Sequence, residues 1–189
     1  MSPGTGVTLD GPRVRLRTAR PEEYDRLLDW YNDPETVAPF DRFELTPPEE
    51  FRRELEAAAG DPDALAPRFV IERRSDSKLL GFVGFYRPHP VLSLTDVWYV
   101  LGATEERGRG FGSEAVALLV DHLFERPERP RVGATCDIEN VASVRLLERL
   151  GFRREGELSA ALFHHARFHP VYIYGVTRAE WAARPRPPR

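Results

Sequence analysis

The chain has 189 residues, about one domain at roughly 100–200 residues each, and with 41% hydrophobic and 30% charged residues it reads as globular. No apolar run approaches the ~18–20 residues of a membrane helix, and a net charge of −3 with pI ≈ 6.0 gives no general basic field for nucleic acid. The N-terminus lacks the basic start and apolar stretch of a secretion signal, and the one cysteine, Cys136, excludes an internal disulfide, so a cytoplasmic location is expected.

Residues 1–12 and the Pro/Arg-rich tail 182–189 have few large apolar side chains to offset their ordering entropy, and both are expected to be flexible. Val14 and Leu16 alternate with arginines, which predicts a half-buried strand. Pro21 opens a helix bearing Tyr24, Leu27, Leu28 and Tyr31, closed by Asn32, Asp33 and Pro34. Thr46-Pro47-Pro48-Glu49 has the form of a capping box, and the helix it starts is expected to run to about Ala59, with Gly60 as its cap. Residues 69–72 and 79–85 predict a hairpin turning at 75–77. Residues 94–102 read as a strand feeding a glycine-rich loop and an apolar helix with Val116, Leu119, Val120, Leu123 and Phe124 at helical spacing. Arg131 to Asp137 is the next expected strand. Asn140 is placed to cap a helix facing Val144, Leu147 and Leu150 inward, ended by Gly151, and strands over 152–162 and 171–177 close the chain.

In Arg107-Gly108-Arg109-Gly110-Phe111-Gly112-Ser113 the glycines alternate immediately before a helix, so successive N–H groups are free to converge on an anion, with two arginines adding charge. A pyrophosphate is the natural guest. There is no GxxxxGK[ST], and no GxGxxG with its acidic partner, which disfavours an NTPase or nicotinamide enzyme. A tight strand-to-helix turn with solvated arginines accounts for the same residues.

Residues further along the chain make the pattern more specific. Arg107-x-x-Gly110-x-Gly112, then Asn140-Val-Ala-Ser143, Leu146-Leu-Glu-Arg149-Leu-Gly-Phe152 and Glu155-Gly156, resembles the acetyl-CoA-dependent GNAT N-acyltransferases, nearest to the RimJ/RimL branch. The opening Leu/Arg strand, Asp25 and Trp30 with Asn32-Asp33-Pro34, and Tyr174-Gly-Val-Thr177 before Glu180-Trp181 extend the resemblance over residues 13–181. It implies a single α/β (α+β) domain with a mixed, mostly antiparallel sheet, in which the strand ending near Gly102 and the strand near Cys136 run parallel but splay. Acetyl-CoA would lie in the splay. Val100, Leu101 and Gly102 would meet the pantetheine amides, residues 107–113 the pyrophosphate, and Asn140, Ser143 and Arg149 would approach from the next helix.

The implied chemistry is attack of a neutral amine on the thioester through a tetrahedral oxyanion. Ser143 takes the place of the branch's serine beside the CoA sulfur. Many family members carry a tyrosine four residues further on, where this chain has Leu147. For the base, related sequences often carry Glu where this chain has Val97; Asp96 and Glu139 are put forward, with Asp137, His164 and His165 behind them. Strand alternation points Asp96 to the opposite face unless a bulge intervenes. Cys136 reads as core. The five histidines show no ligand spacing such as H-E-x-x-H, so no metal is expected.

The expected partners are acetyl-CoA and an amine acceptor, either a protein N-terminus or a small molecule, with the chain as monomer or homodimer and no nucleic acid or membrane involved. The loop from Asp33 to Glu44, with Phe40, Asp41 and Phe43, favours an amine of modest pKa beside an apolar group. A non-catalytic acyl-CoA-binding module and a transferase for a longer acyl group are the alternatives.

Overall fold

The computed structural model describes residues 7–33, 45–60, 68–89, 91–164 and 166–184. Among these residues eight strands form one sheet: β1 (Thr8–Asp10), β2 (Val14–Thr18), β3 (Arg68–Arg73), β4 (Leu79–Tyr86), β5 (Asp96–Val100), β6 (Arg131–Asp137), β7 (Arg153–His164) and β8 (Arg167–Thr177). Their order is β1-β2-β3-β4-β5-β6-β8-β7, and every neighbouring pair is antiparallel except β5 and β6. Among the described residues five α-helices pack on it: α1 (Tyr24–Asn32), α2 (Pro48–Gly60), α3 (Phe111–Phe124), α4 (Val141–Arg149) and α5 (Arg178–Ala183). Among the described residues no helix is long and apolar enough to cross a membrane.

The helices form where apolar periodicity and end signals coincide. Tyr24, Leu27 and Trp30 are buried at the spacing of one α1 face. At its end the Asn32 amide grips Thr46 at both backbone atoms, accepting from its N–H and donating to its carbonyl at 3.0 Å each. A residue chosen from sequence as a helix stop therefore also holds Thr46, two residues before the helix that starts at Pro48. In α3, Ala115, Val116, Leu119, Val120 and Leu123 are fully buried and carry the centre of the core. Asn140 caps α4, its side chain accepting from Ser143 N at 3.0 Å, as the spacing predicted.

Two elements exceed the sequence reading. Thr8–Asp10, assigned there to a loose end, pairs with β2 at the sheet edge. The final hairpin is longer than expected, because a register shift between Leu158 and Leu162, with Ala160 at φ 51°, lets the strands pair again as far as His164 and Arg167.

One contact sets the path of β5. A Cβ on Gly81 would lie 2.0 Å from the Val100 carbonyl oxygen, so β4 and β5 approach each other there only because position 81 has no side chain. Gly81→Ala should lower stability by about 1–3 kcal/mol in urea titration, the range for forcing atoms into a packed core. Gly156→Ala, whose Cβ meets nothing within 4 Å, is the control expected to stay near wild type. Equal effects of the two changes would contradict the close approach.

Candidate active site

Strands β5 and β6 run parallel, but only one residue pair joins them, Asp96 with Gly133, beside a hydrogen bond from Gly133 N to Thr95 O at 2.8 Å. Beyond that pair the strands part. Along β5 the outer edge is paired with β4 from Asp96 to Val100, and the outer edge of β6 is paired with β8 from Arg131 to Asp137. The facing inner edges therefore present strand backbone to the gap, a surface that an extended ligand with its own amides can complete.

The gap is a cavity of about 210 Å³ lined by Tyr31, Phe82, residues 97–100 and 134–137, Asn140, Ser143 and Leu147. Two hydroxyls meet in it: Tyr99 Oη and Ser143 Oγ share a hydrogen bond of 2.6 Å. Burial raises the Tyr99 phenol well above its ordinary range, partly offset by that bond, so it stays protonated at any physiological pH. Cys136 is 5% exposed, and burial pushes its thiol up to about 11, with Ser143 hydrogen bonding acting in the opposite sense.

Asp137 is the one carboxylate among the described lining residues, and it is fully buried. Its Oδ1 accepts from Glu139 N at 2.6 Å, and its Oδ2 lies 3.3 Å from Nδ1 of His169, itself 2% exposed. Glu139 turns outward to Arg167, Oε1 to Nη2 2.8 Å, with Oε2 3.6 Å from the same histidine nitrogen. Asp137, Glu139 and His169 offer three ligand atoms within 4.8 Å of one another, yet Arg167 already answers part of their negative charge.

Asp96 does not line the cavity. Its carboxyl occupies the space over Gly133, where a Cβ would stand 2.3 Å from Oδ1, and burial raises its pKa while Arg131 opposes the shift. Strand alternation puts it on the face opposite Val97 and Tyr99, as expected from the sequence. His165, and the acceptor-loop positions Phe40, Asp41, Phe43 and Glu44, lie outside the described residues, as do the ends 1–6 and 185–189; the side chain of His164 is likewise undescribed.

The glycine-rich loop has a backbone that only glycine adopts readily. Gly108 and Gly110 take φ of 77° and 85°, and Gly110 is the left-handed N-cap of α3, whose first amides have no carbonyl partner within the helix. A Cβ on Gly110 would stand 3.1 Å from Nη2 of Arg13, and one on Gly112 would touch Leu146 of α4 at 3.4 Å. Left-handed backbone is what calls for glycine at 110, while at 112 a Cβ would make only ordinary contact with α4.

Arg13 escaped the sequence reading. Its guanidinium donates to Arg109 O at 3.0 Å and lies over the Phe111 ring, and its N–H and Nε both donate to Glu114 in the first turn of α3. Ninety-six or more positions separate Arg13 from Arg109 and Glu114, and no local signal links them. Glu106, buried behind the loop, binds Arg73, Lys78 and Arg109 at 3.0, 2.8 and 3.1 Å. Of the expected pantetheine contacts, Val100 lines the cavity, the Leu101 carbonyl accepts from Arg107 Nε at 3.1 Å, and Gly102 lies directly against the Trp30 indole. Arg149 is exposed in the last turn of α4, ~13 Å along the helix from Asn140.

A splayed parallel pair beside a glycine-rich loop at a helix N-terminus is the architecture of an acyl-CoA-using transferase, and the comparisons agree. Residues 13–153 match the acetyltransferase (GNAT) domain family, and the chain belongs to it. It is 28% identical over 176 residues to the uncharacterized N-acetyltransferase p20 of Bacillus licheniformis, covering 93% of this chain and 98% of that one. Ribosomal-protein-S5-alanine acetyltransferase from Vibrio fischeri shares the fold at TM-score 0.77 and 20% identity, covering 93% of this chain and 98% of that one. So does spermidine N-acetyltransferase from Vibrio cholerae, solved with CoA and spermine, at TM-score 0.78 and 19% identity, covering 91% and 99%.

Because Cys136 is the chain's one cysteine, its thiol can be followed directly. With its pKa at about 11, thiolate labelling at pH 8 should run at least ~100-fold slower than that of an open thiol of pKa ~8.5, and should keep rising with pH through 10. Labelling as fast as a free thiol would contradict the buried placement.

Proposed function

We propose that the chain moves an acetyl group from acetyl-CoA to a primary amine by direct attack on the thioester. The observation that carries this reading is the cavity between β5 and β6, with open strand edges along it and a hydroxyl pair and one buried carboxylate in its wall. The pantetheine arm lies along Val100 and the inner strand edges. The pyrophosphate meets the amides of residues 108–113, with Arg107 and Arg109 beside them. Glu114 would repel a phosphate at that helix start, but its carboxylate is turned to Arg13 N, Arg13 Nε and Val14 N.

The amine nitrogen forms its bond to the carbonyl carbon, the C–S bond breaks with its electron pair going to sulfur, and Ser143 hydrogen-bonds the departing thiolate. Asp137 takes the role for which sequence put Asp96 and Glu139 forward: it draws the incoming ammonium and, once the neutral amine has attacked, receives the surplus proton of the new C–N bond's nitrogen. A carboxylate is a weak base toward an amine, so the acceptor must itself shed a proton first. An α-amine near pKa ~7.8 costs about 1 kcal/mol to neutralise at pH 7, a lysine-like amine near ~10.4 nearly 5. This supports an acceptor of modest pKa, as at a protein N-terminus of the kind a RimJ/RimL-like enzyme takes.

Incubation with acetyl-CoA and an amine panel should release free thiol in step with amine, with kcat/KM rising until the acceptor's own pKa. Two acceptors about two pKa units apart should break at different pH values; a shared break would mean that an enzymic base controls the rate. CoA binding without amine-dependent thiol release would leave a non-catalytic binding module. In calorimetry, Gly110→Ala should weaken CoA at least tenfold, or ~1.4 kcal/mol, because its left-handed backbone cannot be kept without strain. Wild-type affinity in a folded Gly110→Ala protein would rule out the loop as the pyrophosphate site.

A further inference from the structure

The α4 helix brings no phenol to the cavity, since Leu147, one turn beyond Ser143, is apolar and fully buried. A phenol arrives instead from the sheet. Tyr99, on β5 and 44 positions away in sequence, reaches across to Ser143 at 2.6 Å, and both residues line the cavity. We propose that Tyr99 is a positioning residue for acyl transfer: its phenol donates to Ser143 Oγ and so turns the Ser143 proton toward the departing sulfur.

The direction of that bond follows from the two hydroxyls. A phenol oxygen shares its lone pair with the ring, which makes it a better donor and a poorer acceptor than an alkyl hydroxyl. Burial of Tyr99 disfavours the phenolate, so the phenol keeps its proton to donate across the working pH range. Once Ser143 Oγ accepts from Tyr99, its own proton is left to donate, to the Cys136 thiol in the cavity wall or to a sulfur that enters the cavity, and a donor in such a chain is polarised by the bond behind it. No proton need leave Tyr99. The thiolate departs holding a hydrogen bond from Ser143, while the proton lost by the attacking amine goes to Asp137 or solvent.

This inference rests on the acyl-transfer reading, and its test separates the two. Tyr99→Phe deletes one oxygen and keeps the ring. It should lower kcat about ten- to hundredfold with little change in acetyl-CoA KM or Tm, and Tyr99→Phe/Ser143→Ala should be no slower than Ser143→Ala, because both changes remove one unit. A purely structural tyrosine would instead change Tm or KM and give losses that multiply. A second measurement needs no turnover: calorimetry with CoA and desulfo-CoA should show wild type favouring the sulfur-bearing ligand, and Tyr99→Phe narrowing that ratio as Ser143→Ala does. Full kcat in Tyr99→Phe, or an unchanged CoA to desulfo-CoA ratio, overturns the proposal. A wild-type protein that binds CoA and releases no thiol overturns the acyl-transfer reading, and the ligand ratio then decides the role of Tyr99 alone.

Discussion

The single point of pairing between β5 and β6 governs the rest of the molecule. Gly133 must lack a side chain there, because the Asp96 carboxyl fills the position its Cβ would take and the Tyr174 carbonyl stands 3.2 Å from it on the other side. With Gly133 N bonded to Thr95 O, the two strands are held at one end only. From that pin each follows its antiparallel partner, β5 with β4 and β6 with β8, and the distance between them grows. A continuous parallel ladder would close the cavity and bury the strand edges against each other. The pin keeps the sheet one body while leaving those edges open.

Charge is arranged around this opening in a complementary manner. The loop before α3 gathers Arg107 and Arg109, while Glu114 is turned to Arg13 and Val14, and Glu106 divides its charge among Arg73, Lys78 and Arg109, so that it answers Arg109 only in part. The result is a local positive site on a chain whose net charge is −3. On the other wall, Asp137 keeps its carboxylate oriented through Glu139 N and His169, and Arg167 limits the negative charge that Glu139 adds. Positive charge at the loop and negative charge at Asp137 are the polarity that the proposed acyl transfer to an amine needs.

Much of this was legible in the sequence because it is local. Asn140 lies three residues before the amide it caps, Gly110 stands at the helix start where a left-handed residue is required, and the apolar spacing of α3 reports one buried face. What the sequence did not disclose depends on contacts between distant segments. Arg13 reads as one more outward arginine on an edge-side strand until α3 is laid against it, and Tyr99 reads as a strand aromatic until α4 brings Ser143 within 2.6 Å. The role of Gly102 is of the same kind, since only the packed Trp30 indole explains it. At Gly110 the structure adds a second, long-range neighbour to the left-handed backbone, since a Cβ there would stand 3.1 Å from the Arg13 guanidinium.

The central claim is that the splay beyond Asp96 and Gly133 holds the thioester end of acetyl-CoA beside Ser143. A crystal structure of the protein soaked with CoA tests it most directly. The expected result is pantetheine between β5 and β6, pyrophosphate on the amides of residues 108–113, and the sulfur within about 3.5–4 Å of Ser143 Oγ, the reach of a hydrogen bond to sulfur. Pantetheine density outside that gap, or a sulfur turned away from Ser143 in a fully occupied site, would contradict it.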